Sequence, residues 1–190
     1  MVVFHFALHL RRVHRAPEGP NLPQLFSGVK INKTGGLMNL SMLKSIYLFN
    51  EFSEDDLKKI AATGIEKTIV AGQEIFSVGQ EASAFYVVLM GSVKLTVNSG
   101  SGDEIQIRTL GSGAHFGEMP LIDGEKRSAS VQAVETCHVL EIPYGKLLAL
   151  FEKDLSVACR FYRSAAKFMA IRLRATTNDL NQLKEIKFQH

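Results

Sequence analysis

The chain has 190 residues, 46% of them apolar, enough for one ordinary domain with a core of its own. No run reaches the roughly 18 to 20 apolar residues of a membrane span, so a soluble protein without a membrane partner is expected. The net charge of +3 sits at one end: residues 1–37 carry Arg11, Arg12, Arg15, Lys30 and Lys33 against Glu18, a balance of +4, which leaves −1 on residues 38–190. The body is not basic, and DNA binding is not expected of it.

Residues 1–37 differ in character from the rest. The apolar start MVVFHFALHL precedes RRVHR, the reverse of a secretory signal, and a Pro, Gly and Asn-rich run follows. The segment reads as a weakly ordered N-terminal extension, or as a mis-assigned start ahead of Met38. His5, His9 and His14 could share a helix face as metal ligands; an incidental tail fits them better, and no metal is assigned. Cys137 and Cys159 are far apart without a C-x-x-C spacing, so both read as small buried apolar residues in a reducing cytoplasm.

Two short helices are expected first. One runs from Ser41 to Tyr47, and a second opens at Ser53, where Asp56 completes a capping box and Leu57, Ile60 and Ala61 share a face. Short β-rich runs separated by glycine turns follow: Lys67–Val70, Gln73–Ser77, Ala84–Met90, Ser92–Val97, Glu104–Leu110, Ser128–Val134 and Cys137–Ile142. That spacing, with the turn Asn98-Ser99-Gly100-Ser101-Gly102, predicts an antiparallel barrel or jelly roll. A short helix then covers Pro143–Phe151. A long one from Lys153 to about Glu185 extends about 45 to 50 Å.

Within the β-rich part, the stretch FGEMPLIDGEKRSASV from Phe116 to Val131 concentrates the chemistry. Pro120 suits a first helical position, and Asp123-Gly124 stops the turn. The unpaired N–H groups of such a turn favour an anion, and Gly117 admits a ligand close to the backbone around Met119. Arg127 supplies a planar fork of donors for phosphate oxygens. Glu118 accepts from sugar hydroxyls and repels a second phosphate. One phosphate and one sugar are thereby asked for.

These residues resemble the phosphate-binding cassette of cyclic nucleotide-binding domains, the family that includes the bacterial catabolite activator, the regulatory subunit of protein kinase A and cyclic-nucleotide-gated channels. The family pattern F-G-E, an apolar turn and R-[AST]-A is matched by Phe116-Gly117-Glu118 and Arg127-Ser128-Ala129. Gly72, Gly79 and Gly91 fall where the family turns its β-roll, and the likeness spans about Leu48 to Leu183. It implies a mainly β fold with flanking helices: a double-stranded β-helix, or jelly roll, followed by a long C-terminal helix. The resulting domain plan is an extension over 1–37, a helical lead-in and β-roll over 38–152, and a dimerisation and ligand-capping helix over 153–190. Two departures stand out. Pro120 replaces a small residue of the family turn and deletes one N–H, and Gln80 replaces an aspartate.

Along the long helix Leu155, Cys159, Tyr162, Ala166, Met169, Leu173, Thr176, Leu180 and Leu183 alternate steps of four and three. The stripe could cover the domain's own core; its length and the dense polar face of Arg160, Arg163, Lys167, Arg172 and Arg174 favour pairing with a second copy. Thr176 and Thr177 are anomalous in it. Thr176 could bond back to a carbonyl one turn earlier, or, as the resemblance implies, the two threonines contact the base.

Ser128 could serve the phosphate and occurs among cGMP binders too. The threonine pair points to cAMP.

No nucleophile has a placed base, and His115 reads as a strand-end side chain rather than a general base, so an enzyme is not expected. A metal-dependent enzyme on a similar roll would need clustered His and Glu ligands in the strands, which are absent. A transcription regulator would add a helix-turn-helix after the long helix. The expected function is a stand-alone sensor: cAMP, less readily cGMP, is held by Phe116, Gly117, Glu118, Met119, Arg127, Ser128, Ala129, Thr176 and Thr177, and binding is passed through the helix to an unknown effector protein. The alternative is a dimeric interaction module whose pocket no longer binds.

Overall fold

The computed structural model describes residues 40–100 and 102–188, with side chains to residue 181. The expectations for residues 1–37, including His5, His9 and His14, and for the Leu183 side chain lie outside the described residues. A helical lead-in comes first: α1 (Leu40–Ser45), a 3-10 turn (Tyr47–Phe49) and α2 (Glu54–Ala61). The capping box is formed as the sequence indicates. The Asp56 N–H donates to the Ser53 hydroxyl at 3.2 Å, and the Ser53 N–H donates to the Asp56 carboxylate at 3.1 Å.

Eight strands follow: β1 (Ile65–Ile69), β2 (Glu74–Phe76), β3 (Ala84–Met90), β4 (Val93–Asn98), β5 (Glu104–Leu110), β6 (His115–Phe116), β7 (Ser130–Ala133) and β8 (Cys137–Pro143). They form two four-stranded antiparallel sheets in the orders β1-β8-β3-β6 and β2-β7-β4-β5, the wrapped arrangement of a jelly roll. Seven of the strands answer to the seven β-rich runs. Strand β6, only two residues long in a glycine-rich bend, carries no periodicity that could announce it.

Strand β3 shows why the roll needs its helices. Ala84, Tyr86 and Val88 point into the roll with Phe76, Phe116, Val131 and Val139. The intervening Phe85, Val87 and Leu89 point the other way, into a second core built with Leu43, Phe49, Leu57, Leu147 and Phe161. A strand buried on both faces is apolar throughout, and AFYVVLM is such a run. At Gly91 the chain turns with φ +86°, and an added Cβ would stand 2.8 Å from the Cys137 Cβ.

Between β6 and β7 lies α3 (Met119–Asp123), closed by Gly124. After β8 come α4 (Tyr144–Lys153) and α5 (Leu155–Phe188). Asp154 separates the last two, its Oδ1 accepting from the N–H groups of Ser156 at 3.2 Å and Val157 at 3.3 Å.

Helix α5 has two stripes. Val157, Ala158, Phe161, Ser164 and Ala165 are buried against the body. The heptad stripe is largely outward, with Leu155 63% and Leu173 69% exposed and Ala166, Thr176 and Leu180 also in the open, while Tyr162 packs against the body and Met169 is half-buried. Cys137 is buried as expected. Cys159 is exposed, because it belongs to the outward stripe and not to the core.

The first turns of α5 are strapped to the lead-in. The Arg160 guanidinium meets the Asp56 carboxylate at 3.1 Å, Lys59 meets Asp154 at 2.6 Å, and Lys167 and Arg163 both reach Glu51. Burial pushes the Asp56 pKa up, but the Ser53 hydroxyl and N–H and Arg160 outweigh it and hold the carboxyl below its ordinary range. Among the described residues no helix is long and apolar enough to cross a membrane.

Candidate nucleotide site

A cavity of about 530 Å³ opens between the roll and α5. Its floor is Phe76, Leu95, Phe116 and Val131, and its roof is Met169, Arg172 and Leu173 from α5. One end is closed by Gly117 to Pro120 and by Arg127 to Ala129, and Ile107 of β5 completes the lining. The volume lies within the usual range of small-molecule sites, about 300 to 1,000 Å³.

Glu118 is 2% exposed. Burial pushes its pKa up, while its own backbone N–H, Arg172 and Arg127 pull the other way without cancelling the effect. The Arg172 guanidinium approaches Glu118 Oε1 at 3.5 Å. A buried carboxylate is thus held at the cavity wall by a cation from the helix above.

Arg127 is 5% exposed. Its Nη2 donates to the Ala84 carbonyl at 2.6 Å and its Nη1 to the Gly117 carbonyl at 2.9 Å, while its Cζ lies 3.9 Å from the centre of the Phe76 ring. Tyr144, at the start of α4, donates its hydroxyl to the same Gly117 carbonyl at 2.5 Å, and burial pushes its pKa up to about 12. The backbone of Arg127 is fixed too, through Gly79 N–H to Arg127 O at 2.8 Å and Arg127 N–H to Gln80 O at 2.9 Å. Gln80 therefore supports the arginine through its carbonyl, which its side chain does not alter.

Seven of the nine expected site residues, Phe116, Gly117, Glu118, Met119, Arg127, Ser128 and Ala129, line this one cavity. Thr176 and Thr177 do not. Both are exposed on α5 beyond Leu173, and it is Thr177, not Thr176, that bonds back, its hydroxyl donating to the Leu173 carbonyl at 2.9 Å.

Arg172 is the site residue that was missed. On a long helix it reads as part of a solvated polar face; its spacing of three from Met169, which also lines the cavity, is the available sign that it shares that side of the helix. His115 stands at the start of β6, a strand end as expected, and is buried, packing on Phe168 of α5 with ring centres 4.3 Å apart. Among the described residues no group of three or more His, Cys, Asp or Glu could hold a metal.

Residues 66–154 match the family model of the cyclic nucleotide-binding domain, and the chain has the fold of that domain. It is 31% identical over 141 residues to the cyclic AMP receptor protein of Thermus thermophilus, covering 74% of this chain and 63% of that one. It is 33% identical over 126 residues to cGMP-dependent protein kinase, isozyme 1, of Drosophila melanogaster, covering 61% of this chain and 16% of that one. The crystal structure of the Thermus thermophilus catabolite activator protein superposes with a TM-score of 0.64 at 30% identity, over 73% of this chain and 63% of that one. The chain spans less than two thirds of the length of these curated relatives.

Proposed function

We propose that the protein binds cAMP, and less readily cGMP, and acts as a non-enzymatic sensor that passes binding to an effector protein through α5. The observation that carries the reading is the placing of Glu118 and Arg127 at one end of a cavity whose floor is apolar. A cyclic phosphate needs the guanidinium, Ser128 and the N–H groups from Gly117 to Met119. The ribose hydroxyl needs the carboxylate, and the purine needs the flat apolar floor.

Relatives named for cAMP and for cGMP both match, so the choice of base rests on Thr176 and Thr177. In this reading they meet the base when α5 closes or when a second copy brings its helix alongside. The outward stripe of α5 supports a homodimer through that helix. No DNA partner is assigned.

Because the ligand would touch the roll and α5 together, occupancy biases the helix position. A second reading, a dimeric interaction module with a non-binding pocket, is favoured by one feature: two Arg127 donors are already taken by the Ala84 and Gly117 carbonyls. Calorimetric titration of the chain with cAMP and, separately, cGMP decides between them. Micromolar or tighter cAMP binding supports the sensor; no heat and no shift in melting temperature with either nucleotide supports the module.

A further inference from the structure

His115 stands next to the site without belonging to its lining. It is 3% exposed, and its Nε2 has no hydrogen-bond partner among the described residues. A buried ring nitrogen left unpaired is unfavourable, so the fold keeps it at a disadvantage in this state. Burial first, and Arg172 second, push the imidazole pKa down to about 4, so the ring is neutral at neutral pH and offers a lone pair.

Arg172 is the cation whose charge acts on this ring. Its guanidinium lies 5.1 Å from the centre of the Phe168 ring, the same ring against which His115 packs at 4.3 Å. Its present partner, Glu118, is held at 3.5 Å, a loose pair. Ser164 Oγ is also buried and unpaired. It lies eight residues before Arg172 on the same helix, a rise of about 12 Å, too far along the axis to take the Arg172 guanidinium, and it makes no hydrogen bond to His115.

We propose that His115 is the alternative acceptor for Arg172: when a sugar hydroxyl takes over Glu118, the guanidinium passes to His115 Nε2, carrying α5 with it. The inference rests on the reading of the cavity as a cyclic nucleotide site and assigns to that site a positioning residue outside it. A guanidinium that loses a buried carboxylate needs another acceptor, and an orphaned acceptor needs a donor. The exchange satisfies both at once, only in the occupied state, and it links the sugar to the helix through Glu118, Arg172 and the Phe168 ring that both Arg172 and His115 approach.

The test is a double-mutant cycle on the full chain, read by calorimetric titration with cAMP, with melting curves checking that each protein folds. His115→Phe keeps the ring packing on Phe168 and removes the acceptor; His115→Gln keeps an acceptor near the Nε2 position; Arg172→Met removes the donor. His115→Phe should weaken cAMP binding about tenfold with Arg172 present and less than twofold in the Arg172→Met background, and His115→Gln should retain most of the affinity. Long-range 1H–15N spectra of the unmutated chain should move the His115 Nε2 resonance toward its hydrogen-bonded range on saturation. Equal losses in both backgrounds, or an unmoved Nε2 resonance in a chain that binds cAMP, overturn the role of His115 alone. Absence of binding by the unmutated chain overturns the cavity reading and this inference together.

Discussion

The Arg127 guanidinium donates to the carbonyl of Gly117 at 2.9 Å, and a Cβ at Gly117 would stand 2.5 Å from the same Nη1. The glycine therefore does two things for the arginine. Its carbonyl braces the cation, and its missing side chain leaves the space the cation fills.

Gly117→Ala should accordingly act on both fold and binding. Its φ of +79° penalises any side chain by about 1 to 2 kcal/mol, and the methyl group must push Arg127 aside. The expected result is a comparable loss of unfolding free energy in urea and at least tenfold weaker cAMP binding. Arg127→Ala should weaken binding about tenfold to a hundredfold.

For Glu118 the pH dependence has a definite sign. Burial raises its folded pKa above the unfolded value, so the folded chain holds the proton more tightly, and ionisation costs stability as pH rises through that interval. The cost is absent below about pH 4, the ordinary glutamate range. Glu118→Gln should therefore melt at higher temperature than the unmutated chain at pH 7, with the difference closing toward pH 4, and should bind cAMP about tenfold more weakly.

Asp56 behaves in the opposite way. Its folded pKa lies below the unfolded value, so its contribution is present above about pH 4 and is lost as pH falls further. Asp56→Ala removes both the capping bond and the partner of Arg160. Because Arg160 is partly in solvent, the expected cost is about 1 to 3 kcal/mol in urea unfolding at pH 7, shrinking in acid.

Leu173 tests the outward stripe of α5. Leu173→Glu places a charge in the middle of the surface assigned to a second copy, where it would be buried without a partner. Sedimentation should show the unmutated chain as a dimer and the variant as a monomer at the same concentration. A dimer that survives the substitution places the interface elsewhere.

Much of this architecture was legible in the residues because the informative segments are self-contained. AFYVVLM announces a strand by its apolar run, Ser53 and Asp56 announce a helix start, and Phe116 to Ala129 carries its chemistry within one loop. What could not be read depends on how distant segments meet. Arg172 becomes a site residue only because α5 crosses the roll above Glu118, and His115 becomes buried only because Phe168 descends on it. Cys137 and Cys159 look alike in sequence and differ only in which side of an element they occupy. Thr176 and Thr177 lie on the expected helix, but the cavity stops one turn short of them.

The unequal fastening of α5 has a mechanical consequence. Glu51, Asp56 and Lys59 clamp its first turns, and Arg172 is the last residue with an ion pair to the roll among the described ones. From Arg172 to Phe188 the helix runs about 24 Å further. It is thus a lever with its fulcrum at Arg172, and a tilt of about 5° there displaces the far tip by about 2 Å.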